Sequence, residues 1–125
     1  MMSGAKRILI IDDSNTNVIL LEAILGNHGY EIIRSLSVKE AVPLIELTPP
    51  DLILLDLLMP KVSGYEFLED IRKNKRTKNI PVIIITAVTE KESKAKTQRL
   101  GIVDYIEKPV NIKELVEKVN KTLSK

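Results

Sequence analysis

The chain has 125 residues, 44% hydrophobic and 29% charged, a balance that fits one globular domain and excludes a disordered chain. Its net charge of +2, with four aromatic residues and no tryptophan, excludes the basic, base-stacking surface of a nucleic-acid binder. The absence of cysteine and the single histidine exclude a disulfide framework, a thiolate site and a multi-histidine metal cluster.

The first apolar run, Arg7 to Ile11, contains Ile8-Leu9-Ile10-Ile11 without a break. Continuous β-branched runs of this kind belong to parallel strands covered on both faces. Asn17 to Leu25 then has helical character and is stopped by Gly26, Asn27 and Gly29. Its Val18-Ile19-Leu20-Leu21 run holds more apolar residues than one buried stripe needs, so Ile19 or Leu20 either packs or docks a partner. His28 falls in the following loop with no companion. Glu31 to Ser35 is a mixed strand, suited to a sheet edge, and Ser37 to Leu47 is helical. Pro43 inside that helix removes a donor and predicts a kink or a break.

Asp51 to Asp56, built on Leu52-Ile53-Leu54-Leu55, is a second continuous strand, and Gly64 to Asn74 places Phe67, Leu68 and Ile71 on one helical face. Val82 to Thr86 is the third continuous run. Thr89 to Leu100 is an unusually polar helix whose lysines form a solvated face or a partner-recognition surface. Val103 to Glu107 is the second mixed strand. Asn111 to Leu123 has Ile112, Leu115, Val116, Val119 and Leu123 at helical spacing, and it brings the chain to Lys125. The order is β-α repeated five times, which predicts an α/β fold with a doubly wound parallel sheet. No apolar run approaches the length of about 20 residues that crosses a bilayer, and no signal peptide opens the chain. The expectation is one domain over residues 1–125, cytoplasmic, without a membrane or direct nucleic-acid partner.

Ligands of open α/β sheets sit outside the carboxyl ends of the strands. Those ends carry Asp12-Asp13, Asp56, Thr86 and, after the last strand, Lys108-Pro109. Carboxylates without histidine or cysteine suit Mg²⁺ or Mn²⁺ rather than zinc. A buried charge at Asp56 needs a partner, and Lys108 is the evident one.

These residues in this order, with Leu54-Leu55 before Asp56, Met59-Pro60 after it, then Gly64 and Thr86-Ala87, resemble the receiver domain of bacterial response regulators. The resemblance spans essentially the whole chain. It implies the flavodoxin-like (β/α)5 fold with strand order 2-1-3-4-5, and a signalling receiver domain without an output domain rather than an enzyme. It further implies that Asp56 accepts a phosphoryl group from a histidine kinase or phosphotransfer protein. Asp13 and Asp56 would bind Mg²⁺ directly, Asp12 mostly through water, with the backbone carbonyl of Leu58 as a further ligand. Lys108 would pair with Asp56 and then with the phosphoryl group, Thr86 would donate its hydroxyl to that group, and the Lys108-Pro109 bond would be cis. Thr86 and Tyr105 would form the switch that alters a partner-binding face of helix four, strand five and helix five.

Two side chains depart from the common receiver pattern. Leu58 and Val88 are apolar where polar groups often guide water to the acyl phosphate. Val110 replaces a frequent phenylalanine. Two other functions compete with phosphorelay signalling. An aspartyl-phosphate phosphatase of the haloacid dehalogenase type would need Asp-x-Asp after strand one, and the chain has Asp12-Asp13-Ser14-Asn15-Thr16. A phosphorylation-independent interaction module would have lost the acidic pair, the acceptor or the lysine, and all are present.

Overall fold

The computed structural model describes residues 4–59 and 64–124. Its elements alternate as β1 (Arg7–Ile11), α1 (Asn15–Gly26), β2 (Glu31–Ser35), α2 (Val38–Leu47), β3 (Leu52–Leu55), α3 (Gly64–Lys73), β4 (Val82–Thr86), α4 (Lys91–Arg99), β5 (Asp104–Glu107) and α5 (Ile112–Leu123). The five strands form one sheet in the order β2-β1-β3-β4-β5. Every pairing is parallel. The two mixed strands, β2 and β5, stand at the edges, as their composition implies. The expected order 2-1-3-4-5 is therefore observed. Pro60 of the Met59-Pro60 pair and the terminal Lys125 lie outside the described residues.

The continuous apolar runs explain why the sheet has helices on both faces. Successive side chains of a strand point to opposite faces. Leu9, Ile11, Ile53, Leu55, Val82 and Ile84 therefore pack with Ala41 and Ile45 of α2 and Phe67, Leu68 and Ile71 of α3. Ile8, Ile10, Leu52, Leu54, Ile83 and Ile85 face the other way, onto Val18, Leu21 and Leu25 of α1 and Leu115 and Val119 of α5. Fully burying one such side chain contributes roughly 1.5–3 kcal/mol, so both layers are needed to hold a three-layer domain.

Helix ends are fixed locally. Ser14, Ser37 and Asn111 cap α1, α2 and α5 by accepting the backbone N–H of Asn17, Glu40 and Glu114. Arg72 at the end of α3 ties two loops together, donating to the carbonyls of Leu100 (2.7 Å), Lys78 (3.0 Å), Ile80 (2.9 Å) and Gly101 (3.3 Å). Burial lowers its pKa from the ordinary arginine value.

Three local expectations change. Pro43 does not break α2, which runs unbroken from Val38 to Leu47. Proline and Lys39, the residue whose carbonyl loses its i+4 donor, are both exposed, so water can satisfy that carbonyl. Ile112, the first residue of α5, is exposed rather than buried with Leu115 and Val119. Strands β3 and β5 start one residue later than expected, at Leu52 and Asp104.

Close packing at Gly64 seats the start of α3 on the end of β3. A Cβ there would lie 2.8 Å from the Asp56 carbonyl oxygen and 2.9 Å from the Leu57 Cα. Both are backbone atoms and cannot swing away. Gly64→Ala is expected to destabilise the fold by about 1–2 kcal/mol, although alanine is the better helix former. The measurement is the urea midpoint at unchanged denaturant slope, and a midpoint equal to the parent's would show that α3 is free to shift.

Candidate functional site

Adjacent strands β1 and β3 end together, with Ile11 paired to Leu55 and the Asp56 N–H donating to the Ile11 carbonyl at 3.0 Å. This register places Asp12 beside Asp56. Both carboxylates are buried, at 2% and 5% exposure, while Asp13 is exposed at the rim. Strand β5 contributes from two strands away. The Lys108 N–H bonds to the Thr86 carbonyl at 2.9 Å, and its ammonium reaches past the end of β4. Lys108 Nζ donates to Asp12 Oδ2 and to Asp56 Oδ2, each at 2.9 Å.

The second oxygen of each buried carboxylate is also fixed. Asp12 Oδ1 accepts from the Ser14 N–H at 2.9 Å, and Asp56 Oδ1 accepts from the Leu58 N–H at 3.0 Å. No buried side-chain oxygen or nitrogen among the described residues lacks a partner. Burial alone would pull the Lys108 pKa down, but the hydrogen bonds to Asp56 and Asp12 outweigh it and hold the pKa above the ordinary lysine value. The ammonium therefore remains charged at neutral pH. Carboxylate oxygens of Asp12, Asp13 and Asp56 lie within 4.8 Å of one another. These are hard oxygen donors suited to a small dication.

The remaining expected residues fall around this centre. Thr86 is buried at the end of β4, its hydroxyl oxygen accepting from the Val88 N–H at 3.4 Å. The Lys108-Pro109 peptide bond is cis. Leu58 is 55% exposed beside the acid cluster, and Val88 is half-buried. Tyr105 is half-buried, its hydroxyl donating to the Val88 carbonyl at 2.6 Å. Burial is the main cause of the raised pKa of Tyr105. Val18 and Leu21 of α1 are buried, while Ile19 (49%) and Leu20 (48%) are exposed. The four-residue run thus divides between packing and surface.

Two features were not legible in advance. Lys108 was expected to pair with Asp56, and it holds Asp12 equally. The signal was the presence of aspartates at two strand ends that the sheet makes neighbours. The second feature is Ser93, which is buried on α4 and hydrogen-bonded to the hydroxyl of Tyr65, with Tyr105 Oη at 3.4 Å. A helix without large apolar residues must turn something inward, and Ser93 and Thr97, four residues apart, are the pair α4 buries.

Comparison with known proteins decides the family. The sequence profile of the response regulator receiver domain matches residues 8–120. The chain belongs to the response regulator receiver domain family. Receivers of this family are signalling modules of two-component phosphorelays. The chain is 35% identical over 118 residues to protein PilH of Pseudomonas aeruginosa, covering 94% of this chain and 98% of PilH. It is 40% identical to a probable cyclic di-GMP phosphodiesterase of Vibrio cholerae, covering 90% of this chain and 25% of that protein. The chemotaxis protein CheY4 of Vibrio cholerae superposes with a TM-score of 0.90 at 26% identity, covering 96% of this receiver and all of CheY4.

The bridging ammonium makes a test possible before any phosphodonor is added. Removing one member of a buried ion pair leaves an uncompensated charge, at a cost of about 3–5 kcal/mol. Lys108→Met should lower stability by about 3 kcal/mol in metal-free buffer. Adding Asp12→Asn and Asp56→Asn to it should recover most of that loss, because the stranded charges are gone. A triple variant no more stable than Lys108→Met would assign the loss to packing of the lysine stem instead.

Proposed function

We propose that this receiver is phosphorylated on Asp56 by a histidine kinase or a histidine phosphotransfer protein. The observation that carries this reading is the Asp56 carboxylate, buried at the rim with each oxygen held by a fixed donor. An Asp56 oxygen attacks the phosphorus of the donor phosphohistidine. The phosphorus–nitrogen bond breaks as the phosphorus–oxygen bond forms, and the imidazole departs, taking up a proton. Lys108, paired with Asp56 beforehand, turns to the phosphoryl oxygens afterwards. Thr86 releases its own contact and donates its hydroxyl to the same group.

The donor set fits a metal ion. Three carboxylates meet one ammonium at the rim, which leaves an excess of negative charge for a dication to offset. Asp13 and Asp56 would hold Mg²⁺ directly, Asp12 largely through water and Leu58 through its backbone carbonyl, with Mn²⁺ as a substitute. When bound, the ion supplies charge neutralisation to the carboxylates and the phosphoryl oxygens.

Signalling follows from the placement of Thr86 and Tyr105. Phosphorylation adds roughly two negative charges beside Lys108 and Thr86. Movement of Thr86 toward the phosphoryl group opens space for the Tyr105 ring and changes the surface of α4, β5 and α5. A partner that prefers one arrangement then reads the modification. Reversing a 1:99 population takes about 5.5 kcal/mol, which charge-assisted bonds and an ion can supply together. Ile19 and Leu20 are the proposed kinase-docking residues of α1. The proposed location is the cytoplasm, where Mg²⁺ and phosphohistidine donors are both available.

Incubation with a small phosphodonor and Mg²⁺ should add one phosphoryl mass to the parent protein and none to Asp56→Asn. An unlabelled parent would identify a phosphorylation-independent module, and labelled Asp56→Asn would move the acceptor elsewhere.

Leu58 and Val88 bear on the lifetime of the product. Neither side chain can hydrogen-bond a water into line with the acyl phosphate, and both can shield it. Leu58→Asn combined with Val88→Glu should speed dephosphorylation several-fold, with no comparable change in Mg²⁺ affinity. Tenfold would correspond to about 1.4 kcal/mol in the barrier. The decay of purified phosphoprotein in excess Mg²⁺ measures this, and equal or slower decay in the variant would remove these positions from control of water access.

A further inference from the structure

A cleft between α2 and α3 lies apart from the acid rim. Its floor is apolar, built from Ile45, Phe67 and Ile71, with Val42 at its edge. Glu46 on α2 and Asp70 on α3 also line it. Neither carboxylate has an ion-pair or hydrogen-bond partner among the described residues. Among the described residues, the wall of the cleft itself holds no lysine or arginine, and Arg76 lines the adjoining hollow beyond Glu46 without an ion pair to it.

Size and charge together define an occupant. The cavity volume is about 180 Å³. Cofactor and drug-sized sites run from about 300 Å³ upward, whereas an apolar cavity of about 150 Å³ holds one benzene ring. The cleft thus takes a single large apolar side chain, the size of the buried anchor at a protein interface. The unpaired acids favour a cation beside that anchor. We propose that the α2–α3 cleft docks a segment of a partner protein, inserting one phenylalanine- or leucine-sized side chain with a flanking lysine or arginine paired to Glu46 and Asp70. This surface is separate from the α4–β5–α5 face and from α1, so it allows a third protein to sit on the receiver while those faces are engaged. The proposal does not depend on phosphoryl transfer.

The test uses the full-length unphosphorylated receiver, labelled with ¹⁵N, and the blocked peptide acetyl-Lys-Ala-Phe-Ala-Lys-amide. Its partners in the experiment are the analogue with Glu for both Lys, the analogue with Ala for Phe, and phenethylammonium. The lysine–phenylalanine peptide should shift the amides of Val42, Ile45, Ile71 and Thr77. Charge reversal in the peptide should weaken the titration about fivefold, and Glu46→Gln with Asp70→Asn in the protein should do the same. Loss of the phenyl ring should abolish it. Val42→Trp, at an exposed position that tolerates the larger side chain, should block it while the rest of the spectrum stays in place. Equal titration by the two charge forms, binding that survives Val42→Trp, or shifts centred elsewhere would overturn the proposal. Phenethylammonium binding as tightly as the peptide would make the cleft a small-amine site instead. Shifts of the same amides on raising protein concentration alone would assign it to a second copy of this chain.

Discussion

One ammonium group organises the carboxyl end of the sheet. Lys108 reaches from the last strand over the end of β4 to hold the aspartates of β1 and β3 at equal distance, 2.9 Å each. Two buried carboxylates this close repel one another, and the register that makes β1 and β3 neighbours would be penalised without a cation between them. The lysine therefore serves the fold and, in the proposed phosphoryl transfer, the chemistry as well. It closes the sheet end sterically and electrically, yet it contributes one charge against three carboxylates, and the remainder is left for a ligand to offset. The seat of α3 on the Asp56 backbone, where Gly64 admits no side chain, carries the same crowding into the helix layer.

Much of this was readable from the chain. Ile8 to Ile11, Leu52 to Leu55 and Val82 to Ile85 are uninterrupted apolar stretches, and a strand covered on both faces has no other composition available. Once those strands are central, the mixed runs at Glu31 and Asp104 must lie at the edges, and the acidic and basic residues that follow strands one, three and five must share one rim. The hydrophobic pattern separates central strands from edge strands because each misplacement would expose several fully apolar residues, whereas the order 2-1-3-4-5 was legible only through the resemblance to receivers. Asp56 and Thr86 were legible as polar residues at the ends of apolar strands, and Lys108 as the cation that a buried Asp56 needs.

What escaped the sequence depends on partners that only three dimensions supply. The Asp12–Lys108 bond spans 96 positions along the chain and requires knowing that β1 sits between β2 and β3. Pro43 looked like a helix breaker because the rule concerns the lost hydrogen bond, and the rule relaxes where that carbonyl faces water. The cleft between α2 and α3 is a gap between two helices whose individual apolar faces look complete. Its acids, Glu46 and Asp70, are unremarkable on either helix alone.

Helix α4 has a different kind of consequence. Its nine residues bury only Ser93 and Thr97, and it is steadied by tyrosines from both sides, with Lys96 Nζ 4.4 Å from the centroid of the Tyr65 ring and Lys94 Nζ 5.5 Å from that of Tyr105. Aromatic–cation contacts at such partly exposed sites are worth about 0.5–1 kcal/mol each, well below the burial of even one leucine. Backbone amides of α4 should thus open by local unfolding well before those of the strands, in the manner of a separate cooperative unit. The domain is tightly held where it gathers charge and lightly held along α4, the face proposed to meet a partner. A perturbation at the rim has only this lightly held helix to move, not a packed core.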